Sequence, residues 1–206
     1  MRLHTILAAL VWMTGSTLVS AVVPDDPNKV TPIEVGSMAP SFTAQDVSGR
    51  DYKFDAAHLK KPAMLIFYRG GWCPFCNAHL KDLRSVVPKI TALGYQVLFL
   101  STDRPQLLYS SLKEKVPYRI LSDASMQAAR AFGVAFRLDE ATLKMMQTYG
   151  IDLDKTQGTS NHELPVPSVF IISRAGVVQF RHFNADYRVR LDAASVLTAA
   201  QQALHK

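Results

Sequence analysis

The stretch Tyr68–Leu80, "YRGGWCPFCNAHL", contains the only two cysteines of the 206-residue chain, Cys73 and Cys76. It directly follows an apolar run, Ala63–Tyr68, which predicts a buried central strand. Pro74 is typical of the first position of a helix, because its missing N–H would have no partner there. The stretch therefore predicts a strand, a short loop, and a helix with Cys73 at its N-cap and Cys76 in its first turn.

This placement bears on what the two sulfurs can do. Free N–H groups and the positive end of the helix dipole stabilise a thiolate, so we expect the pKa of Cys73 to lie below its usual value of about 8.5. Cys76 lies on the same face with its Cβ about 5–6 Å away, which is near enough for a disulfide to close. One sulfur could attack a substrate and the other could resolve the product.

Two other interpretations of the pair stay open at this point. A static disulfide across so small a loop would restrict the unfolded chain very little. Cys73, Cys76 and His79 offer soft ligands, but a structural zinc site needs four. A copper carrier would have to recruit a distant histidine such as His162 or His182.

Composition indicates an ordinary globular protein with one domain, since 48% of residues are hydrophobic and 19% are charged. The formal net charge of +6 is modest. No run of Lys and Arg is interleaved with aromatic residues, so we expect no nucleic-acid partner.

The first 21 residues predict a secretory signal peptide. Arg2 gives a basic start, Ile6–Met13 is apolar, and small or polar residues lead to Val19-Ser20-Ala21, where we expect cleavage. The apolar run is well short of the ~20 residues that a membrane span needs. We therefore expect an exported protein, periplasmic or secreted, with no stable membrane span after cleavage. In such a compartment a cysteine pair can be oxidised.

Behind the signal peptide we predict an N-terminal tether at 22–36, which carries three prolines, and one domain at 37–206. Strands and helices alternate along this domain, which implies an α/β sandwich around a mixed sheet. The first predicted elements are a hairpin around Ser48-Gly49 with "DYKF", and a helix from Pro74 that is bent at Pro88 and ended by Gly94. Next come a strand at "YQVLFLS", a helix at "RPQLLYSSLKEK", a strand at "YRILSD" and a helix at "SMQAARAFG". An insertion from Arg137 to Glu163 contains a helix at Leu138–Tyr149, and it is followed by strands at "PSVFIIS" and "VVQFRHF" and by a helix from Arg190 to Ala203.

Four segments taken together resemble the thioredoxin-fold redoxins, specifically the peroxiredoxin-like branch of the alkyl hydroperoxide reductase and thiol-specific antioxidant (AhpC/TSA) family. They are "GSMAPSFTAQDVSGRDYKF", "LIFYRGGWCPFCNAHLKDL", "ILSDASMQAARAFGV" and "VPSVFIISRAGVVQFRHFNADYRVRL". The resemblance implies a thioredoxin-like fold with an N-terminal β-hairpin extension and a helical insertion before the strand that follows Pro167. It also implies a redox-active disulfide between Cys73 and Cys76, with no cofactor and no resident metal. The implied partners are a thioredoxin-like or other thiol electron donor and, as substrate, a disulfide-bearing protein or a hydroperoxide.

The resemblance assigns roles to residues around the pair. Pro167 matches a cis proline that sits beside the cysteines and leaves the backbone of Val166 free to pair with a bound chain. We expect Trp72 to pack beside the pair and shield it. Arg69 would lower the pKa of the sulfur further, or else be a solvated charge at the strand end.

Two positions depart from typical peroxiredoxins, which hold the peroxide with a Thr or Ser three residues before the reactive cysteine and an Arg at the start of the later strand. Gly70 and Pro167 take these places. The residues therefore favour dithiol–disulfide exchange, whereas the resemblance favours peroxide reduction. We expect a thiol–disulfide oxidoreductase, with a thioredoxin-dependent thiol peroxidase as the alternative and a copper-binding carrier as a remote one.

Other polar and apolar residues are assigned structural roles. We expect capping and surface pairing, not chemistry, from Asp186, Tyr187, Arg188 and Arg190. We expect core positions for Phe42, Phe54, Leu83 and Phe132.

Overall fold

A computed structural model of the protein describes residues 22–108 and 118–205. Its strands are β1 (Phe42–Gln45), β2 (Asp51–Phe54), β3 (Ala63–Tyr68), β4 (Gln96–Ser101), β5 (Arg119–Ser122), β6 (Ala135–Arg137), β7 (Glu163–Pro165), β8 (Ser168–Ile172) and β9 (Val178–Phe183). Its helices are α1 (Pro74–Leu83), α2 (Val87–Ala92), α3 (Pro105–Leu108), α4 (Gln127–Ala131), α5 (Glu140–Thr148), α6 (Leu153–Gln157) and α7 (Ala193–Ala203), with 3-10 helices at Pro27–Lys29 and Ala56–His58.

Seven of these strands form one mixed sheet in the order β2-β1-β5-β4-β3-β8-β9. β3, β4 and β5 run parallel, β8 is antiparallel to β3, and β9 is antiparallel to β8. β1 and β2 form the predicted hairpin, which joins the edge of the sheet through a Gln45–Ser122 pair. The predicted mixed α/β architecture with a hairpin extension is therefore confirmed.

The central strand β3 separates two cores. All six of its residues are buried, as the apolar run predicts. Alternate side chains point to opposite faces of a strand, so Met64 and Ile66 pack with both cysteines, α1, α2 and α7. Leu65 and Phe67 pack on the other face with β1, β2 and α4. The four predicted core residues Phe42, Phe54, Leu83 and Phe132 are all buried.

The helix after the cysteines is divided in two, which corrects the prediction of one bent helix. α1 ends at Leu83 and α2 begins at Val87, with Pro88 in its first turn. Proline has no N–H to donate and its ring collides with the carbonyl four residues earlier, here that of Arg84. The chain therefore restarts the helix at Val87 instead of bending it at Pro88.

The predicted insertion is fastened at its two ends by the short strands β6 and β7, which pair Arg137 with Glu163. Its predicted helix is present as α5, capped by Asp139, whose carboxylate accepts from the N–H of Thr142 at 2.6 Å. The polar part of the insertion after α5 contains a further helix, α6, which the sequence analysis does not predict. α6 ends at Gly158, which has a left-handed conformation.

The segment 22–36 lies against the domain. The N–H of Arg137 donates to the carbonyl of Pro24 at 2.7 Å, and the guanidinium of Arg181 donates to the carbonyl of Ile33 at 3.1 Å. Its prolines indicate a tether, and the structure shows that this connection also contacts the domain.

Three predictions at the chain start and along one helix depend on residues that the structure does not describe. The signal peptide, 1–21, lies outside the described residues, so it and the domain boundaries stay predictions. The predicted helix "RPQLLYSSLKEK" is described only over α3. Over 22–108 and 118–205, no helix has both the length and the apolar character to cross a bilayer.

Candidate active site

Cys73 and Cys76 lie where the sequence predicts. Cys73 is the N-cap residue of α1, with an extended backbone, and Pro74 is the first helical residue. Both thiols are free, and both cysteines are only 1% exposed. The cap position is therefore confirmed, although the sulfur of Cys73 makes no aligned capping hydrogen bond.

The two thiols ionise in opposite directions. A hydrogen bond from Cys76 is the largest influence on Cys73. Together with the Cys76 N–H and the charges of Arg69 and Arg190, it lowers the pKa of Cys73 to about 6, against the opposing effect of burial. The same hydrogen bond, burial and the charge on Cys73 raise the pKa of Cys76. At neutral pH, Cys73 is a thiolate and Cys76 is the thiol that donates to it.

Arg69 is held between two aromatic rings. Its guanidinium carbon is 4.1 Å from the ring centroid of Tyr187 and 5.1 Å from that of Trp72. Cation–π contacts of this kind hold the charge in place, close enough to lower the pKa of Cys73. The geometry therefore favours a role for Arg69 in lowering the pKa of Cys73, and not that of a solvated charge at the end of the strand.

Trp72, which we predict to shield the pair, lies between two clusters of buried residues. It packs against the core cluster that includes both cysteines. It also packs against a smaller cluster of Met146, Leu153 and Leu164, which belongs to the insertion and its closing strand. The insertion therefore covers the loop that leads to Cys73.

Arg190 belongs to the site, which corrects the prediction of a surface role. Its Nη2 donates to the sulfur of Cys76 at 3.4 Å. Tyr187 also faces the site through Arg69, whereas Asp186 and Arg188 form the expected surface pair, with an N–O distance of 2.8 Å. The chain separation of 114 residues between Arg190 and Cys76 explains why local patterns miss the contact. The family-like segment "DYRVR" is the one signal in the sequence that marks this region.

Pro167 and Val166 differ from the prediction. No peptide bond among the described residues is cis, so the bond between Val166 and Pro167 is trans. The N–H of Val166 donates to the carbonyl of Val134 at 2.8 Å, which continues the pairing of β6 and β7. The trans form is the lower-energy isomer, and this donor is already used within the chain. Val166 is fully buried and does not offer this N–H to a partner chain.

Residues 35–181 match the AhpC/TSA family. The chain belongs to this family. Among curated relatives, peroxiredoxin Q of Gentiana triflora is 30% identical over 125 residues, which cover 60% of this chain and 57% of that protein. The thiol-disulfide oxidoreductase ResA of Geobacillus thermodenitrificans is 27% identical over 106 residues, which cover 50% of this chain and 60% of that protein. The chain thus spans less than two thirds of each relative's length.

A solved structure supports the fold. Peroxidoxin BcpB of Mycobacterium tuberculosis superposes with a TM-score of 0.60 at 17% identity, covering 84% of this chain and 97% of that one. The thioredoxin-like fold is thereby confirmed. Peroxiredoxins and thiol–disulfide oxidoreductases are both oxidoreductases, so the expectation of an oxidoreductase is confirmed at the level of the AhpC/TSA family.

The departure from the AhpC/TSA pattern at Gly70 has a structural cause. Gly70 has φ +146°, in the region that favours glycine. A Cβ at this position would overlap the indole nitrogen of Trp72 and lie 2.9 Å from a carboxylate oxygen of Asp103. The other oxygen of Asp103 accepts from the N–H of Gly71 at 2.6 Å and from Ser101 at 2.9 Å. The hydroxyl-bearing residue of a peroxiredoxin does not fit here unless Trp72 or Asp103 moves.

Several buried donors at the site have no hydrogen-bond partner among the described residues. They are Nε of Arg69, Nε1 of Trp72, and Nε and Nη1 of Arg190. Such groups are uncommon in folded proteins, since a buried donor without a partner costs free energy. They belong to the three residues that either precede the cysteine pair in the chain or, in the case of Arg190, contact Cys76.

Metal ligands do not converge on the pair. Within the described ranges, no group of three His, Cys, Asp or Glu residues could hold an ion. His79 contacts the carbonyl of Leu191 through Nε2 at 2.9 Å. His162 pairs instead with Asp154 at 3.0 Å.

An apolar cavity of about 220 Å³ lies beside Arg69. Its lining includes Phe136, Leu138, Pro167 and Tyr187. A larger and more polar cavity, of about 900 Å³, is lined by none of the predicted site residues. We regard the smaller cavity as the one relevant to the cysteines because it shares Arg69 and Tyr187 with their surroundings.

Proposed function

We propose that the protein is an exported thiol–disulfide oxidoreductase that cycles Cys73 and Cys76 between dithiol and disulfide. The observation that carries the proposal is the difference in pKa between the two thiols. The pKa of Cys73 is lowered to about 6, while that of Cys76 is raised. The first is ready to attack at neutral pH, and the second is kept protonated until it is needed.

This difference in pKa determines which sulfur reacts first. The Cys73 thiolate attacks one sulfur of a substrate disulfide, forms a mixed disulfide and releases the other half as a thiolate. Cys76 then attacks Cys73, the second half leaves, and an intramolecular disulfide remains. A thioredoxin-like protein or another thiol donor returns the pair to the dithiol by two-electron exchange.

The cavity beside Arg69 is the proposed place for an apolar part of the substrate. Its volume of about 220 Å³ suits one large side chain. Phe136, Leu138 and Pro167 give it apolar walls, and Asp25, Arg137 and Asp139 add charged groups to the lining. Since the N–H of Val166 is already used, we propose that side-chain contacts, not strand pairing at Val166, position a disulfide-bearing protein.

Export is the part of the proposal that rests on the sequence alone. A cut after Ala21 would give a mature chain that begins at Val22. The test is expression of the full chain in a Gram-negative host, fractionation, and mass measurement of the product. A product that keeps residues 1–21 and stays in the cytosol contradicts export.

A thiol peroxidase is the second candidate. Peroxiredoxin Q of Gentiana triflora is among the relatives, and the unpartnered donors of Arg69 and Trp72 could polarise an O–O bond. In that reaction Cys73 becomes a sulfenic acid and Cys76 closes the disulfide with loss of water. Gly70 and Pro167, in place of the usual peroxide-binding side chains, argue against it.

The deciding experiment compares two oxidants. Reduced wild type, Cys73→Ser and Cys76→Ser are mixed with hydrogen peroxide in a stopped-flow instrument, and assayed for insulin disulfide reduction with dithiothreitol as electron source. We expect insulin reduction by wild type alone and a peroxide rate near that of a free thiol. Fast peroxide consumption with slow insulin reduction replaces the proposal by the peroxidase. Failure of both activities, with copper retained through dialysis, leaves the copper carrier.

A further inference from the structure

Arg190 is a half-buried cation whose side chain, among the described residues, makes its one hydrogen bond to a cysteine. Its Nη2 lies 3.4 Å from the sulfur of Cys76, while Nε and Nη1 are buried and have no hydrogen-bond partner within 22–108 and 118–205. No carboxylate of the described residues lies within salt-bridge distance of it. A guanidinium remains charged under all ordinary conditions. Asp186 interacts with this charge at longer range, but no ion pair in the described part of the chain neutralises it beside Cys76.

The helix that carries Cys76 also fixes the segment that carries Arg190. From α1, Nε2 of His79 contacts the carbonyl of Leu191 at 2.9 Å. Asp82, one turn further on, accepts from the N–H of Ala193 at 3.0 Å. The sulfur and the guanidinium are thus held by one rigid element, which is how a functional contact is kept in place.

We propose that Arg190 is a catalytic residue for the second half of the exchange, in which it stabilises the Cys76 thiolate that displaces the substrate from Cys73. This inference rests on the proposed function. The charges of Arg69 and Arg190 both act on Cys73. Arg69 is stacked on Tyr187 and Trp72, whereas Arg190 is the cation that makes a hydrogen bond to the resolving sulfur.

The order of events is a consequence of the same contacts. In the free dithiol, the hydrogen bond to Cys73 and the charge on Cys73 keep Cys76 protonated, against the effect of Arg190. Once Cys73 is bonded to a substrate sulfur, it carries no charge and is a much weaker acceptor. Arg190 remains, so Cys76 becomes easier to ionise only after the first attack.

The step balances in atoms and electrons. The proton of Cys76 passes to solvent, its sulfur forms a bond to the sulfur of Cys73, and the bond between Cys73 and the substrate sulfur breaks. The substrate leaves as a thiolate, which takes up a proton from solvent. The substrate disulfide is reduced by two electrons in total, and the cysteine pair is oxidised by two.

The test uses 4,4′-dithiodipyridine, a neutral disulfide whose released thiopyridone absorbs light. The reduced full chain should release one equivalent rapidly, by attack of Cys73, and a second more slowly, by attack of Cys76. Arg190→Gln is compared with Arg190→Lys and with Arg188→Gln. The last variant removes a neighbouring surface charge that pairs with Asp186 and does not contact sulfur.

We expect Arg190→Gln to slow the second release about three- to tenfold at pH 8. Loss of an opposite charge raises a pKa by about 1–3 units, and the gain in nucleophilicity with pKa offsets part of the lost thiolate. The first release should change much less, since Cys73 is already ionised at this pH. The pH midpoint of the second release should rise in Arg190→Gln, rise less in Arg190→Lys, and stay unchanged in Arg188→Gln.

Two outcomes overturn the proposal. One is an unchanged pH midpoint of the second release in Arg190→Gln, and the other is an equal shift in Arg188→Gln. Thermal melts check folding, and Arg190→Lys carries the same comparison if Arg190→Gln does not fold. Failure of the proposed function would look different, because wild type itself would then give no second equivalent.

Discussion

At the scale of single residues, one hydrogen bond sets the character of both sulfurs. Cys76 donates it and Cys73 accepts it, which lowers one pKa and raises the other. The reactivity of Cys73 is therefore a property of the pair and not of the helix start alone. The N-cap position predicts the direction of the shift, while the hydrogen bond is its largest cause.

Alkylation of Cys73 tests this assignment. The rate with iodoacetamide follows the thiolate fraction, so we expect a midpoint near pH 6 in the reduced protein. Cys76→Ala removes the donor and should move the midpoint up towards that of a free thiol. Cys76→Ser keeps a hydroxyl donor and should move it less. Equal midpoints in wild type and Cys76→Ala would show that the hydrogen bond is not the main cause.

Gly70 gives a second residue-scale prediction. Gly70→Thr restores the hydroxyl that peroxiredoxins carry, but its Cβ meets Trp72 and Asp103. We expect it to disturb the loop and not to increase the rate with hydrogen peroxide. Gly70→Ala separates the Cβ from the hydroxyl, and stopped-flow oxidation measures both. A Gly70→Thr rate well above those of wild type and Gly70→Ala contradicts this prediction.

From the sequence, only those site residues that lie close together along the chain could be predicted. Cys73, Cys76, Trp72 and Arg69 share one stretch, and the structure places all four together. Arg190 comes from a segment 114 residues away, so its contact depends on how the chain that enters α7 packs against α1. Its neighbour Arg188 has the same residue type and a surface role, which shows that residue type alone does not separate them.

At the scale of elements, predictability follows burial and length. β3 is a continuous apolar run between buried neighbours, and its predicted bounds match the structure. β6, β7 and α6 are three to five residues long and carry no periodic pattern. Their formation depends on pairing and caps supplied by the folded chain, such as the contact of Asp152 with the N–H of Lys155 at 3.0 Å.

The contact between the N-terminal segment and α4 can be tested at a glycine. Gly133 has φ +68°, and a Cβ there would overlap the carbonyl oxygen of Thr31. Gly94 has φ +96° with nothing within 4 Å of its Cβ position, so Gly94→Ala is a matched control for backbone strain. We expect Gly133→Ala to lower the free energy of unfolding about 1–3 kcal/mol more than Gly94→Ala, because overpacking adds to the strain.

Urea unfolding measures this difference in the free energy of unfolding. Limited proteolysis reports whether the segment 22–36 has detached from the domain. Cleavage in 22–36 should become faster in Gly133→Ala and not in Gly94→Ala. Equal losses of stability in the two variants would mean that the segment moves aside at no cost.

At the scale of the whole molecule, the shifted thiol couples stability to pH. The pKa of Cys73 is about 6 in the folded protein, against an ordinary value of about 8.5. Between these values the unfolded state binds more protons, so this contribution to stability rises with pH. It is fully present above about pH 9 and is lost as the pH falls through 6. Asp123 acts with the opposite sign at lower pH, because burial raises its pKa to about 7.

We therefore expect the free energy of unfolding of the reduced wild type, minus that of Cys73→Ser, to increase from pH 6 to pH 9. The subtraction removes Asp123 and the other groups whose pKa values do not depend on Cys73. Cys76, whose pKa is raised by Cys73, contributes with the opposite sign only towards the upper end of this range. Urea unfolding under reducing conditions at pH 6, 7, 8 and 9 measures it. A difference that is flat with pH would mean that Cys73 is no more acidic in the folded protein than in the unfolded one.

The position of Trp72 has a practical consequence for following the reaction. It is the one tryptophan in the described residues, since Trp12 lies in the predicted signal peptide. Its ring packs in the cluster that holds both sulfurs. A disulfide quenches a nearby indole more strongly than a pair of thiols does. The emission of the unlabelled protein should therefore report the redox state directly, so that a reduction potential can be titrated by fluorescence.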